Sequence, residues 1–196
     1  MFEARPAGIE ALVPFDLTGR VIVVTGGAGM LGSRYARALT SAGARVIVAD
    51  IDAGAADRVV GTLEPGSALA VAADVTDAES VRRMKTQTLE RFGRVDGLVN
   101  NAAIDPKFDI EHAADHGADF ENFPLEAWNE SLAVGLTGAF LCAQALAPAI
   151  LESGGGSIVN ISSIYGMVGP DQRLYEAGPG SPRRYKPVAY SVVKSA

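Results

Sequence analysis

The chain has 196 residues, enough for one domain with a sizeable core, and its 48% hydrophobic to 20% charged balance excludes a disordered chain. Seventeen Lys and Arg against 23 Asp and Glu leave a net charge of −6 without any basic run, which argues against nucleic acid or an anionic membrane as partner. A single cysteine, Cys142, excludes an internal disulfide, fits a reducing compartment, and reads as a small buried hydrophobe rather than a reactive thiol.

Residues 1–19 read as an N-terminal arm ending in a turn at Thr18-Gly19, and residues 20–196 as one domain. Arg20–Val24 is a β-branched run stopped by glycines, the signature of a buried strand. From Leu31 the apolar residues Tyr35, Ala38, Leu39 and Ala42 share one helical face, which Gly43 ends. Arg45–Ala49, closed by Asp50, is a second strand; residues 53–64 predict a helix and Ala68–Ala72 a third strand. Thr76 and Glu79 have capping-box spacing ahead of a helix through Phe92, and Arg94–Val99 predicts strand four. A polar insert at 104–123 precedes a long helix, about 125–151, and a fifth strand, Ser157–Ile161, follows Gly154-Gly-Gly156. Five alternations of strand and helix call for an α/β fold with a doubly wound parallel sheet. The first residues carry Glu3, Arg5, Pro6 and Glu10, and no apolar run approaches about 18 residues, so no signal peptide or membrane span is expected and the protein reads as soluble and cytoplasmic.

Between the first strand and its helix stands Thr25-Gly-Gly-Ala-Gly-Met-Leu-Gly32. Glycines in that context permit a tight turn and let backbone N–H groups approach a pyrophosphate at the helix N-terminus, which marks Gly26, Gly29, Met30, Leu31 and Gly32 as cofactor-binding. Asp50 lies eighteen residues beyond Gly32 at the end of strand two, where a carboxylate accepts from a ribose diol and repels a 2′-phosphate. The expected cofactor is therefore NAD rather than NADP. Tyr190 and Lys194 are four apart and share one helix face, where an ammonium stabilises a phenolate that then accepts or donates a proton.

These residues resemble the short-chain dehydrogenase/reductase family from about Phe15 to the last residue. The marks are the TGGAGMLG turn, Asp74-Val75, Asn100-Asn-Ala-Ala103, Ile161-Ser-Ser163 and Tyr190-Ser-Val-Val-Lys194, each at or after the C-terminal end of a strand. The resemblance implies a Rossmann fold and a nucleotide-binding oxidoreductase that moves a hydride between NAD(H) and a secondary alcohol or ketone. It implies Ser163, Tyr190 and Lys194 as catalytic residues, with Ser162 as the alternative serine. Asp74 and Val75 would meet the adenine, Asn101 would bring backbone near the ribose, and Lys194 together with Tyr190 would hold the nicotinamide ribose. Family members are often homotetramers, so a homo-oligomer through helix 125–151 is expected.

Several features depart from the family pattern. Met30 replaces a usual glycine, and Gly135 stands where an asparagine commonly helps a water-linked proton relay through the lysine. Ser163 and Tyr190 are 27 residues apart, and the extra segment, 165–187, carries Arg173, Arg183, Arg184 and Lys186, either a solvated loop or a lid that reads a substrate carboxylate. A sugar acid or polyol is the favoured substrate class on that account. His112 and His116, beside Glu111 and Asp115, have helical spacing but no assured third ligand, so no metal is expected. The sequence stops two residues after Lys194, so the usual C-terminal strands are expected to be missing, strand five to be an exposed edge, and a fragment or a covering partner to be involved. The alternative reading is a catalytically weak NAD-binding module on the same fold. A sugar-nucleotide epimerase or dehydratase draws on the same glycines but leaves no room for its substrate domain.

Overall fold

The computed structural model describes residues 15–104, 119–175 and 185–196. Five parallel strands form one sheet in the order β3-β2-β1-β4-β5, with β1 Val21–Thr25, β2 Arg45–Asp50, β3 Ala68–Ala72, β4 Gly97–Asn100 and β5 Ser157–Asn160. Val23 in β1 stands opposite Ile47 in β2 and Leu98 in β4. The strand period of two divides the core between the two faces. Val23, Ile47, Ala49 and Val71 point to one face, where Val81, Met84, Cys142 and Leu146 cover them. Val24, Val46 and Val48 point to the other, against Ala36 and Ala56. The first layer is α3 Ala78–Phe92 and α5 Gly138–Glu152; the second is α1 Met30–Ser41 and α2 Ala53–Val60. Each fully buried Val, Ile or Leu contributes about 1.5–3 kcal/mol, so the doubly wound sheet is held by its central strands.

The long helix is interrupted. α4 Leu125–Leu132 runs into one π-turn, Ala133–Thr137, and then into α5, so the whole spans Leu125–Glu152. Its 28 residues have a mean hydropathy of 1.8 in the most apolar window, long and apolar enough to cross a membrane by length and composition, which corrects the expectation that no such segment exists. Here its inward side, Cys142, Leu146, Ala149 and Ile150, is buried against the sheet. Burial pushes the Cys142 thiol up to about 12, so it is an inert core group.

Local chemistry shifts several boundaries. Asp77, not Thr76, caps α3: its carboxylate accepts from the Glu79 and Ser80 N–H groups, while the Thr76 hydroxyl donates to Asp74. The helix expected over 53–64 ends at Val60, with Asp52 accepting from the Ala55 N–H at its start. Strand four begins at Gly97 rather than Arg94, although the Asp96 backbone still bonds Val21 and Ser157, and the side chains just before it form an ion cluster at the foot of the sheet. There Asp96, whose side chain is 4% exposed, accepts from Arg94 Nη2 at 2.6 Å, Arg20 Nη1 at 2.8 Å and the Val21 N–H at 2.9 Å. Burial pushes this carboxyl up, but the hydrogen bonds from Arg94, Arg20 and Val21 outweigh it and hold the group at about 2.

β5 is exposed along its length, unlike the buried β2, as expected of a sheet edge. The arm over 1–14, the two histidines with their neighbours in 105–118, and Arg183 with Arg184 in 176–184 lie outside the described residues. The described parts of the two inserts form 3-10 turns at Phe120–Asn122, Ile164–Gly166 and Gln172–Tyr175.

Candidate active site

The strand order reverses between β1 and β4, and the turns after these two strands meet there. After β1, Gly26 has φ +60, a conformation that L side chains avoid, and a Cβ on it would lie 2.9 Å from Ala102 Cα. A Cβ on Gly32 would fall 2.2 Å from the Gly26 oxygen, so only glycine lets α1 start this close to the turn. Gly29 is less confined: its added Cβ would meet only the Gly26 oxygen, at 3.3 Å, which is still a tight contact. No side chain caps α1 and no acidic residue stands in its first turn, while Met30 (75% exposed) and Leu31 flank the opening. Backbone donors at an uncapped helix start, behind a glycine-rich turn, fit a pyrophosphate.

Asp50 ends β2 beside this turn. Its Oδ2 accepts from the Ala28 N–H at 2.9 Å and its Oδ1 from the Asp52 N–H at 3.1 Å, which leaves further lone pairs toward solvent. The carboxylate therefore fastens the glycine turn. Across the switch point, Asn101 Nδ2 donates to the carbonyls of Thr25 and Gly26, both at 3.0 Å. Thr25 was missed as a site residue. Its hydroxyl, fully buried, accepts from the Asn101 and Ala102 N–H groups, clamping the two turns together. The signal available was a threonine closing the strand just before the glycines.

Asp74 and Val75 follow β3. Asp74 accepts from both the N–H and the hydroxyl of Thr76, forming a local turn, and its own N–H donates to Ser80 Oγ. Val75 is buried in the core, close enough to Gly138 that a Cβ there would sit 2.7 Å from Val75 Cγ2.

The third group gathers after β5. Ser163 caps the turn Ile164–Gly166, and its hydroxyl oxygen accepts from the Tyr165 N–H at 3.2 Å, so its own proton stays available to donate. Ser162 is committed elsewhere: its hydroxyl donates to the Lys194 carbonyl. α6, Val188–Ser195, carries Tyr190 and Lys194 and begins just after Pro187, whose fixed φ suits a helix start. Gly166 lets the serine turn sit on the end of α6, since a Cβ there would be 2.0 Å from the Lys194 oxygen. Lys194 is 9% exposed and its ammonium donates to the Ile161 carbonyl at 2.7 Å. Lys194 thus meets Ile161, Ser162 and Gly166 at the C-terminal end of β5.

Gly135 lies in the π-turn facing α6, and a Cβ added to it would come 2.2 Å from Val193 Cγ1. Val193 therefore fills the volume a larger residue at 135 would need. Both line a cavity of about 240 Å³ together with Thr25, Asn100, Asn160 and Lys194, which links the two groups of site residues. In the 165–187 segment, Arg173 pairs with both oxygens of Asp171, and Lys186 places its ammonium 3.9 Å from the centre of the Tyr190 ring. Among the described residues no cluster of three or more His, Cys, Asp or Glu is placed to hold a metal.

The chain is similar to known proteins. D-threitol dehydrogenase of Mycolicibacterium smegmatis is 36% identical over 169 residues, 84% of this chain and 61% of that protein. A 3-oxoacyl-[acyl-carrier-protein] reductase of Synechocystis is 36% identical over 165 residues, 82% of this chain and 63% of that protein. The crystal structure of 3-ketoacyl-(acyl-carrier-protein) reductase from Brucella melitensis complexed with NADH superposes with a TM-score of 0.75 at 29% identity, covering 92% of this chain and 66% of that one. The chain therefore spans about 61–63% of the length of these curated relatives. The short chain dehydrogenase family profile matches residues 20–178, over the same sheet and turns that carry the glycine-rich loop and the serine turn. On fold, motif order and relatives alike, the chain belongs to the short-chain dehydrogenase family.

Proposed function

We propose that this chain carries the cofactor-binding and proton-transfer residues of an NAD(H)-dependent oxidoreductase that interconverts a secondary alcohol and its ketone. The carrying observation is the docking of α6 on the Ser163 turn, through the Ser162–Lys194 bond and the close approach at Gly166. It sets the buried Lys194 beside the serine turn, and Tyr190 lies one helical turn earlier on the same helix. A nicotinamide bound there supplies the hydride acceptor or donor. In the oxidative direction the carbinol C–H bond breaks with its electron pair leaving as hydride, and the hydroxyl proton passes to Tyr190 Oη. Ser163 donates to the substrate oxygen, Lys194 stabilises the phenolate and holds the ribose, and the reverse sequence protonates the alkoxide from Tyr190. Gly26, Gly29, Met30, Leu31 and Gly32 hold the pyrophosphate, Asp50 the adenosine ribose, and Asp74, Val75 and Asn101 shape the remaining cofactor wall.

Asp50 supports NAD over NADP, because a 2′-phosphate would meet a carboxylate already seated on the Ala28 N–H. A polyol is the favoured substrate class: Arg173 is occupied by Asp171, and a related enzyme is a D-threitol dehydrogenase. Exposed Leu136, Phe140 and Leu151 on the long helix support a homo-oligomer paired through it, and the buried lone cysteine supports a cytoplasmic setting. Gly135, its space filled by Val193, favours a second reading, an NAD-binding module with little turnover.

Fluorescence titration with NADH beside NADPH tests the cofactor reading: saturable NADH binding at least about tenfold tighter than NADPH is expected, and Asp50→Ala should narrow the gap. Turnover is then followed with D-threitol and related polyols. Tyr190→Phe should lower it by about 10²–10⁴-fold, a far larger loss than any weakening of NADH binding. Tight NADH binding with no turnover on that panel selects the module.

A further inference from the structure

We propose that Lys186 is a positioning residue for Tyr190, a second cation held over the ring by Gln172 that favours the phenolate needed for proton transfer. The proposal rests on the reading of Tyr190 as the proton acceptor, and the geometry is specific. The Lys186 ammonium sits 3.9 Å from the ring centre, well inside cation–π range. An ammonium over the ring face is attracted to the neutral ring and more strongly to the full charge of its phenolate. Lys186 is not held only by its own flexible stem. Gln172 grips its backbone from both sides, Oε1 accepting from the Lys186 N–H at 2.9 Å and Nε2 donating to the Lys186 carbonyl at 3.2 Å. Gln172 itself opens a 3-10 turn of the segment that separates Ser163 from Tyr190. That segment thus contributes a charge to the tyrosine rather than only a connection.

The other ionisable groups around α6 define what Lys186 works with and against. Lys194 lies on the same helix. The elements packed on α6 are the Ile164–Gly166 turn with Tyr165, α4 with Glu126 and Glu130, and the π-turn, which has no charged residue. Asp119, Glu121 and Tyr185 line a cleft with Lys186 itself.

The test is an ultraviolet titration of tyrosinate in the full chain, taken as the difference from the matching Tyr190→Phe protein. That subtraction isolates Tyr190 from the other tyrosines and needs no substrate. The midpoint is expected to rise by about half to one pH unit in Lys186→Met and to stay at the parent value in Lys186→Arg. Gln172→Ala, which loosens the grip without removing the cation, should give a smaller rise and serves if Lys186→Met folds poorly. An unmoved midpoint in Lys186→Met, or an equal rise in Lys186→Arg, overturns the proposal. Hydride transfer in Tyr190→Phe is measured separately: full turnover there overturns the acid–base reading while leaving the titration result on Lys186 standing.

Discussion

The two halves of the site are built in opposite ways. On the cofactor side, from β1 to β2, short loops and buried strands fix nearly everything: Gly26, Gly32, Asp50 and Thr25 lie within or beside one βαβ unit, joined to β4 through Asn101. On the catalytic side, β5 is exposed and α6 is placed by contacts across 32 residues or more, the Ser162–Lys194 and Lys194–Ile161 bonds. One half is stiff by local geometry, the other by long-range docking. Cofactor binding should therefore survive damage that abolishes proton transfer, whereas damage to the glycine turn should abolish both.

The strongest way to break this asymmetry is Gly32→Ala. Its methyl would meet backbone at 2.2 Å with no side chain free to yield, so a loss of about 3 kcal/mol in stability and of measurable NADH binding is expected from denaturation and fluorescence titration. Asp96 lies below both halves and separates loss of fold from loss of site. Asp96→Ala should cost about 2 kcal/mol, since the arginines left behind remain partly exposed to water. The pH dependence has a definite sign. The folded carboxyl is held at about 2, below the ordinary unfolded value near 3.9, so its contribution is complete above about pH 4 and is lost as pH falls toward 2. Thermal melts of Asp96→Asn should lack that part of the acid limb. The smallest effect is Gly135→Ala, about 1–2 kcal/mol, since the clash is with a side-chain methyl; it should be relieved in the Gly135→Ala, Val193→Ala double variant. NADH binding should be unchanged in both, which sharpens the separation of the two halves.

What could be read from the residues follows the same division. The glycine turn, the strand end at Asp50 and the parallel doubly wound sheet were legible because each depends on neighbours in sequence and on a strand-turn-helix context. The catalytic corner was legible only as a motif. That Ser162 is committed to Lys194, leaving Ser163 with a free proton, depends on how α6 docks and has no local signature. Thr25 and Gln172 escaped for the same reason, since each acts through backbone groups of a distant segment. Local competition explains the cap: Asp77 outbid Thr76 because Asp74 captured the threonine hydroxyl. At the start of β4 the Asp96 backbone still bonds Val21 and Ser157, while its side chain holds two arginines. The apolar length of Leu125–Glu152 was masked in sequence by its polar first turns.

The π-turn at Ala133–Thr137 has a consequence for how this helix tolerates changes in length. A π-turn accommodates one residue more than the α-helical repeat, and each residue of an α-helix turns the chain by about 100°. The extra residue thus sets the rotational phase between α4, which meets α6, and α5, whose Cys142, Leu146 and Ile150 meet the sheet. Drawing the same residues into an unbroken α-helix would swing one half about a quarter turn against the other, whereas deleting one residue within 133–137 would remove the bulge and leave the two phases nearly unchanged. The irregular turn keeps two packing surfaces in register on a single rod, and an ideal helix of the same residues would fit only one of them.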